Sequence, residues 1–429
     1  MLVFGGLLII CIMMVLILKS QFMPGNVLAM VPLVIALAIG TGFTDTMTFI
    51  HKGISNVLVI AALFILATLY FGTMSDAGLF DPIINALTKR IGKTVFSVVA
   101  TTGLIAMVSH LDGQGITTLL ITVPPMLLIF DKMKIRRTLL ALVFSTVTAV
   151  MNMIPWGGPT ARAAAVLGTD VMMLYRQLLP IQILGLVLSF VILYLASKAE
   201  EKRGEFVHGA DIQTCESEIS ICEEELSLKR PKLLWANAAI TVIVLVALFI
   251  GVPSYITFLI GCAVILPLNY RTLKEQNARV KAHAGHILIS VYTIIGAGAL
   301  LGIMGGLGMF EALAEAFVGI IPESLSSVMH IIIGLIITPL GYLLNADAIM
   351  YGIMPVIINV GAQYGVESAT VAAMFIVGHC IAVPLCLTTP QVYLGLGLMG
   401  LDYREAFKAN FKWSILLGTA LVLATLFIV

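Results

Sequence analysis

Fifteen long apolar runs follow one another along this chain, at residues 2–18, 27–40, 54–74, 95–110, 117–130, 138–154 and 181–197, then 234–250, 255–268, 287–304, 327–343, 349–360, 368–382, 391–399 and 413–429. Unbroken runs predict helices, since a membrane strand alternates apolar and polar residues over about ten positions. A water-facing surface needs about a quarter of its residues charged. Here only 11% are charged, against 60% hydrophobic. The chain therefore reads as an all-α polytopic membrane protein. That excludes a cytosolic enzyme or a disordered scaffold, and a net charge of +1 gives no reason to expect nucleic acid. Run 2–18 has no basic residues ahead of it and no small-residue cleavage site, and its first positive charge, Lys19, follows it. It predicts a span with the N-terminus outside rather than a signal peptide. Cys215 and Cys222 lie in the only long polar stretch, an acidic linker at 199–232, too far apart for a paired-thiol site.

The two halves resemble each other. The decapeptide from Gly72 to Asp81 (GTMSDAGLFD) lines up with that from Gly302 to Glu311 (GIMGGLGMFE) at an offset of 230 residues. Downstream of each, two apolar arms flank a polar knot, at 112–118 and 345–348. A helix interrupted by prolines follows, at 155–159 and 384–390. So long a period belongs to a duplicated transporter half rather than a solenoid. The second arms, 117–130 and 349–360, reach about 21 and 18 Å at 1.5 Å per residue, short of a hydrocarbon core of about 30 Å. Each pair of arms predicts a re-entrant hairpin, leaving five spans and one hairpin per half. An odd number of spans inverts one half relative to the other. With the N-terminus outside, 21 of the 24 Lys and Arg fall in cytoplasmic segments and only Lys52 and Arg176 outside, as the positive-inside rule requires. This topology puts the linker in the cytoplasm and both termini outside.

Of the 24 basic and 23 acidic residues, three lie at membrane depth: Asp112, Arg162 and Asp347. Each costs at least about 2.5–3.5 kcal/mol there and is a functional candidate by default. They sit in the knots and breaks among Gln114, Thr117, Thr118, Asn152, Thr160, Asn345, Thr388, Thr389 and Gln391, with Gly113, Gly115, Gly157 and Gly158 in the same irregular turns. One alternative is that the charges pair internally and brace the hairpins. Four polar knots at matched positions of a repeat favour a binding site. Half-helix N-termini offer unpaired N–H groups suited to carboxylate or phosphate, and Arg162 adds a two-pronged donor. Two ionised acids against one arginine leave the site negative, so a polyanion enters it only with a cation or proton. Oxygen ligands around an acid suit a hard divalent ion. Asp112 and Asp347 are the metal or proton groups; His110 either relays protons or is a satisfied structural histidine. His379 lies beside the second break, Tyr351, Met354 and Pro355 read as packing residues, and the glycine-rich run 296–308 reads as helix packing or hinge. No nucleophile–base or metal-ligand motif of an enzyme appears.

In DGQGITTLLI from Asp112, PWGGPTARAAA from Pro155, DAIMYGIMP from Asp347 and PQVYLGLGL from Pro390, the chain resembles the citrate–divalent-metal/proton symporter family. That family belongs to the ion transporter superfamily, with the divalent-anion/sodium symporters. The resemblance covers essentially the whole chain. It implies uptake of citrate complexed with a divalent cation such as Mg2+, driven by protons, through a plasma-membrane homodimer with an elevator motion and no resident cofactor. On that reading 1–92 and 233–322 form a scaffold, 93–198 and 323–429 a moving transport domain, and the amphipathic pieces 80–91 and 310–320 join them. Gln114 stands where the family pattern has a second acid, and 378–384 lacks its Gln-Pro pair. Another di- or tricarboxylate, sodium coupling, or cation/proton antiport that would need the acids but not Arg162 are the alternatives.

Overall fold

A computed structural model of the chain describes residues 1–18, 22–207, 227–318 and 329–428. The middle of the acidic linker, with Cys215 and Cys222, lies outside the described residues, as does the end of the second amphipathic piece. Among the described residues every regular element is helical, in two successive sets of nine. The first set is α1 (Leu2–Leu18), α2 (Pro24–Ala38), α3 (Phe43–Asp76), α4 (Asp81–Lys89), α5 (Val95–Ser109), α6 (Gly115–Lys132), α7 (Arg137–Val143), α8 (Gly158–Leu167) and α9 (Val171–Arg203). The second is α10 (Leu234–Ile250), α11 (Ser254–Asn269), α12 (Leu273–Gly306), α13 (Met309–Val318), α14 (Met329–Gly341), α15 (Met354–Gln363), α16 (Ser368–Ala382), α17 (Pro390–Met399) and α18 (Tyr403–Ile428). Helix α7 continues through a π-helical turn, Phe144–Thr148, to Met151, and α15 follows a π-helical turn at Ala348–Ile353.

The repeat is plain in these bounds. Helices α3 and α12 are each 34 residues long and begin 230 positions apart. They also pack on each other, Gly53 against Gly302 and Gly72 against the His283 ring. Position numbers rise along α3 as they fall along α12, so these equivalent helices are antiparallel and the two halves run in opposite directions. Close approach requires the glycines. A Cβ on Gly53 would lie 2.1 Å from the Gly298 carbonyl oxygen, and one on Gly302 would lie 2.1 Å from that of Phe49. The glycine-rich run is thus helix packing at this crossing. Gly302→Ala is expected to lose about 1–3 kcal/mol through the backbone clash, read as a lower melting temperature of the detergent-purified protein; unchanged melting would mean that the two helices do not meet here.

Two expectations need correcting. Helices α3 and α12 begin at Phe43 and Leu273 rather than at 54 and 287, because polar residues interrupt the apolar runs without ending the helices. At α12 the start is set by a reciprocal cap: Thr272 Oγ1 accepts the Glu275 N–H at 3.2 Å, and Glu275 Oε2 accepts the Thr272 N–H at 3.0 Å. The second arm of the first hairpin is also longer than 14 residues. Helix α6 has 18 residues, with Pro124 and Pro125 inside it, and reaches about 27 Å. Length alone therefore does not make it re-entrant. Eight stretches among the described residues are long and apolar enough to cross a membrane, α6 included.

Packing sorts the helices into two groups. Helices α2, α3, α11 and α12 pack together, while α5, α7 and α9 pack with α14, α16 and α18. Helix α8 leans on α3 and α12, and the turn after α5 touches α3.

Candidate functional site

At the first tip, α5 ends at Ser109, a tight turn carries His110–Asp112, and Gly113 at φ +76° reverses the chain into α6. A Cβ on Gly113 would be strained at that angle and would press on Trp156. Asp112 is 3% exposed, and its Oδ1 accepts the Gln114 N–H at 2.8 Å. One oxygen of this carboxylate therefore shapes the tip. The Trp156 indole N–H donates to the Leu111 carbonyl at 2.8 Å, tying the tip to the first broken helix. His110 is held at both ring nitrogens, Nδ1 by Thr118 Oγ1 at 2.8 Å and Nε2 by Asn152 Oδ1 at 3.0 Å. Both contacts suit a braced ring, and neither decides between the structural role and proton relay.

The first break runs from Asn152 to Gly157, where a Cβ would lie 2.3 Å from the Asn152 carbonyl oxygen. Thr160 Oγ1 donates to the Met153 carbonyl at 3.0 Å and is occupied in closing the break. Gly158 opens α8, and one turn on, Arg162 Nε donates to Asp347 Oδ1 at 2.7 Å. At the second tip Asn345 Oδ1 accepts the Ala348 N–H at 3.0 Å. The second break is tied to the arm of its own hairpin, Leu387 N–H to Tyr342 carbonyl at 2.9 Å. There Thr388 Oγ1 meets Cys386 Sγ at 3.2 Å, and Thr389 precedes α17.

The tips and breaks therefore meet within each half and also crosswise between the halves. The first tip lies on the second break, where Gly115 faces the Gln391 amide. The second tip lies on the first break, through Asp347 and Arg162. A cavity of about 50 Å³ lies at the first crossing, lined by His110, Gly115, Asn152 and Gln391 among others. A larger cavity of about 1030 Å³ separates α3 and α12 from the ends of α8 and α15, and Lys52, Asn56, Gln177 and Asn359 line it. Thr117, Thr388 and Thr389 are half-buried at the margins.

Two features had no clear sign in the sequence. The π-helical turn at Phe144–Thr148 places Ser145 and Thr148 at the small cavity, their hydroxyls donating to the carbonyls of Ala141 and Phe144; such turns recur at functional sites. Between α3 and α12, Asp76 Oδ2 meets His283 Nε2 at 2.9 Å and Arg279 Nη1 at 3.2 Å.

A sequence model of the citrate transporter family matches residues 9–378 of the 429. The chain belongs to that family. The family is one of transporters, not enzymes, and its match spans both tips and the first break. A "Citrate transporter" of Bacillus subtilis (strain 168) is 31% identical over 424 residues, which is 99% of this chain and 97% of the relative. A "Mg2+/citrate complex secondary transporter" of the same organism is 32% identical over 417 residues, 97% of this chain and 96% of the relative. The fold is similar to the crystal structure of the Alcanivorax borkumensis YdaH transporter, with a TM-score of 0.59 and 16% identity over 87% of this chain and 86% of that one. Among the described residues of this family member no three His, Cys, Asp or Glu side chains gather as a metal centre.

Proposed function

We propose that the protein imports citrate as a complex with a divalent cation, Mg2+ or similar, driven by protons across the plasma membrane. The observation that carries this reading is Arg162, a shielded guanidinium one turn into α8 whose one hydrogen bond among the described residues crosses to the other half of the repeat. Its Nη atoms offer a two-pronged donor, and the α8 N-terminus adds N–H groups and the positive end of its dipole. The Asp112 carboxylate takes the Gln114 N–H on one oxygen and has the Thr117 hydroxyl within hydrogen-bonding reach, so a metal-bound water or the metal itself would take the place of Thr117. A lone carboxylate among hydroxyls and amides suits a divalent ion that brings its own ligands. A relative named for the Mg2+/citrate complex supports the same pairing.

The linker is cytoplasmic and both termini are outside, so the large cavity beside Lys52 faces out and gathers anions. Segments 1–92 and 233–322 are the scaffold, with the contacts of a homodimer, and 93–198 and 323–429 move against it. Supporting this, Trp156 of the first break stacks on Phe71 near the cytoplasmic end of α3, ring centroids 4.4 Å apart. The equivalent position on α12, Leu301, instead lines the large cavity. Equivalent surfaces in unequal positions are what a displaced transport domain produces.

Purified protein in proteoliposomes is expected to accumulate labelled citrate when Mg2+ is present and an inward proton gradient is imposed. Uptake that follows an imposed sodium gradient and ignores Mg2+ would overturn the coupling. Asp112→Asn keeps an oxygen for the Gln114 N–H, so its stability is expected to stay within about 1 kcal/mol of wild type. Its Mg2+-stimulated uptake is expected to fall about tenfold, more than any Mg2+-free uptake, with a flatter pH profile. Unchanged Mg2+ and pH profiles would confine Asp112 to shaping the tip.

A further inference from the structure

Arg162 and Asp347 are 185 positions apart and meet through one bond, Nε to Oδ1 at 2.7 Å. Both are shielded, with side chains 18% and 10% exposed. Among the described residues, two polar groups nearby have no hydrogen-bond partner: the Tyr351 hydroxyl, one turn after Asp347, and the ring of His379, at both nitrogens, on α16, which packs on α8. Tyr351 is 0% and His379 1% exposed. Each is within electrostatic reach of Arg162, and Tyr351 also of Asp347. Buried groups left without partners are costly and uncommon. A cluster that holds two of them around a singly bonded ion pair has the groups for a second bonding arrangement.

Resting on the reading above, we propose that Asp347 stands in for the substrate's carboxylate on Arg162 in the empty carrier. A citrate carboxylate displaces it. Asp347 then accepts a hydrogen bond from the Tyr351 hydroxyl, and its charge is balanced by the cation and the proton that arrive with citrate, since the Mg2+ complex of fully ionised citrate is itself still an anion. An unpaired charge resists passage through a low-dielectric interior. The empty carrier crosses with Arg162 neutralised by Asp347, and the loaded carrier crosses only when a cation balances the displaced acid. Citrate without its cation cannot be carried, because one ion pair has exchanged for another that is incomplete.

The test is Asp347→Asn in proteoliposomes, with net uptake of labelled citrate measured beside exchange of labelled for unlabelled citrate, both with Mg2+. Exchange uses only the loaded carrier, while net uptake needs the empty one to return. Net uptake is expected to fall at least about 20-fold further than exchange does. Citrate without Mg2+ is expected to raise the melting temperature of the variant at about fivefold lower concentration than in wild type, since its competitor is gone. Net uptake and exchange that fall together, or do not fall, in protein that melts like wild type overturn the proposal. Asp347→Ser replaces the asparagine variant if that one does not fold; loss of folding with both assigns the pair to structure and overturns it too. Wild-type protein that neither takes up nor exchanges citrate sinks the transport reading itself, a result separate from either variant's behaviour.

Discussion

Arg162→Ala is expected to reduce citrate uptake about 100-fold, the loss of two charge-assisted hydrogen bonds to a carboxylate in a shielded site. Arg162→Lys keeps the charge but not the planar fork, and a loss of about tenfold is expected. The alanine variant alone confuses binding with folding. It leaves Asp347, 10% exposed at its side chain, as a buried acid without its partner, at a cost of about 3–5 kcal/mol. Arg162→Ala with Asp347→Ala removes both charges and is expected to recover most of the lost stability while uptake stays absent. Uptake of labelled citrate and thermal melting, measured on all three proteins, separate the two effects. A double variant that melts normally and transports at the wild-type rate would move Arg162 out of the binding site.

Joining Phe71 to Trp156 is expected to stop uptake altogether. The two rings stack at 4.4 Å between centroids, one on the proposed fixed helix α3 and the other in the break of the proposed moving half. Cysteines at both positions, in a chain whose six native cysteines have been replaced, should be bridged by a short bifunctional thiol reagent. Single-cysteine controls should keep their uptake. In the opposite position of the cycle, repeat symmetry brings the equivalent surfaces together, so cysteines replacing Leu301 and Thr388, which lies two residues before α17 as Trp156 lies two before α8, should bridge only under turnover. A bridged Phe71–Trp156 pair that still accumulates citrate would rule out sliding of these surfaces against each other. Loss of uptake without any bridge, in contrast, would measure damage to the aromatic cluster with Phe258, which packs on both rings.

The sequence alone determined that this chain is helical, membrane-embedded and duplicated, and it marked the tips and breaks where the chemistry gathers. Those features rest on local causes: unbroken apolar runs, a 230-residue recurrence, and glycines and prolines that free backbone groups from helical bonding. Helix length was less legible, because Asp45, Lys52, Lys274 and Arg279 interrupt the hydropathy of α3 and α12 without breaking their hydrogen bonding. That the charges pair internally was open as an alternative, but which acid takes Arg162 was not legible. Asp112, Arg162 and Asp347 stood out equally as charges at depth, yet only the folded chain places Arg162 on Asp347, Gly115 on Gln391 and His110 between Thr118 and Asn152. Composition and spacing report which groups leave water. Which groups then meet is decided by how two antiparallel halves interlock, since a buried charge takes the partner that the opposing half brings within reach.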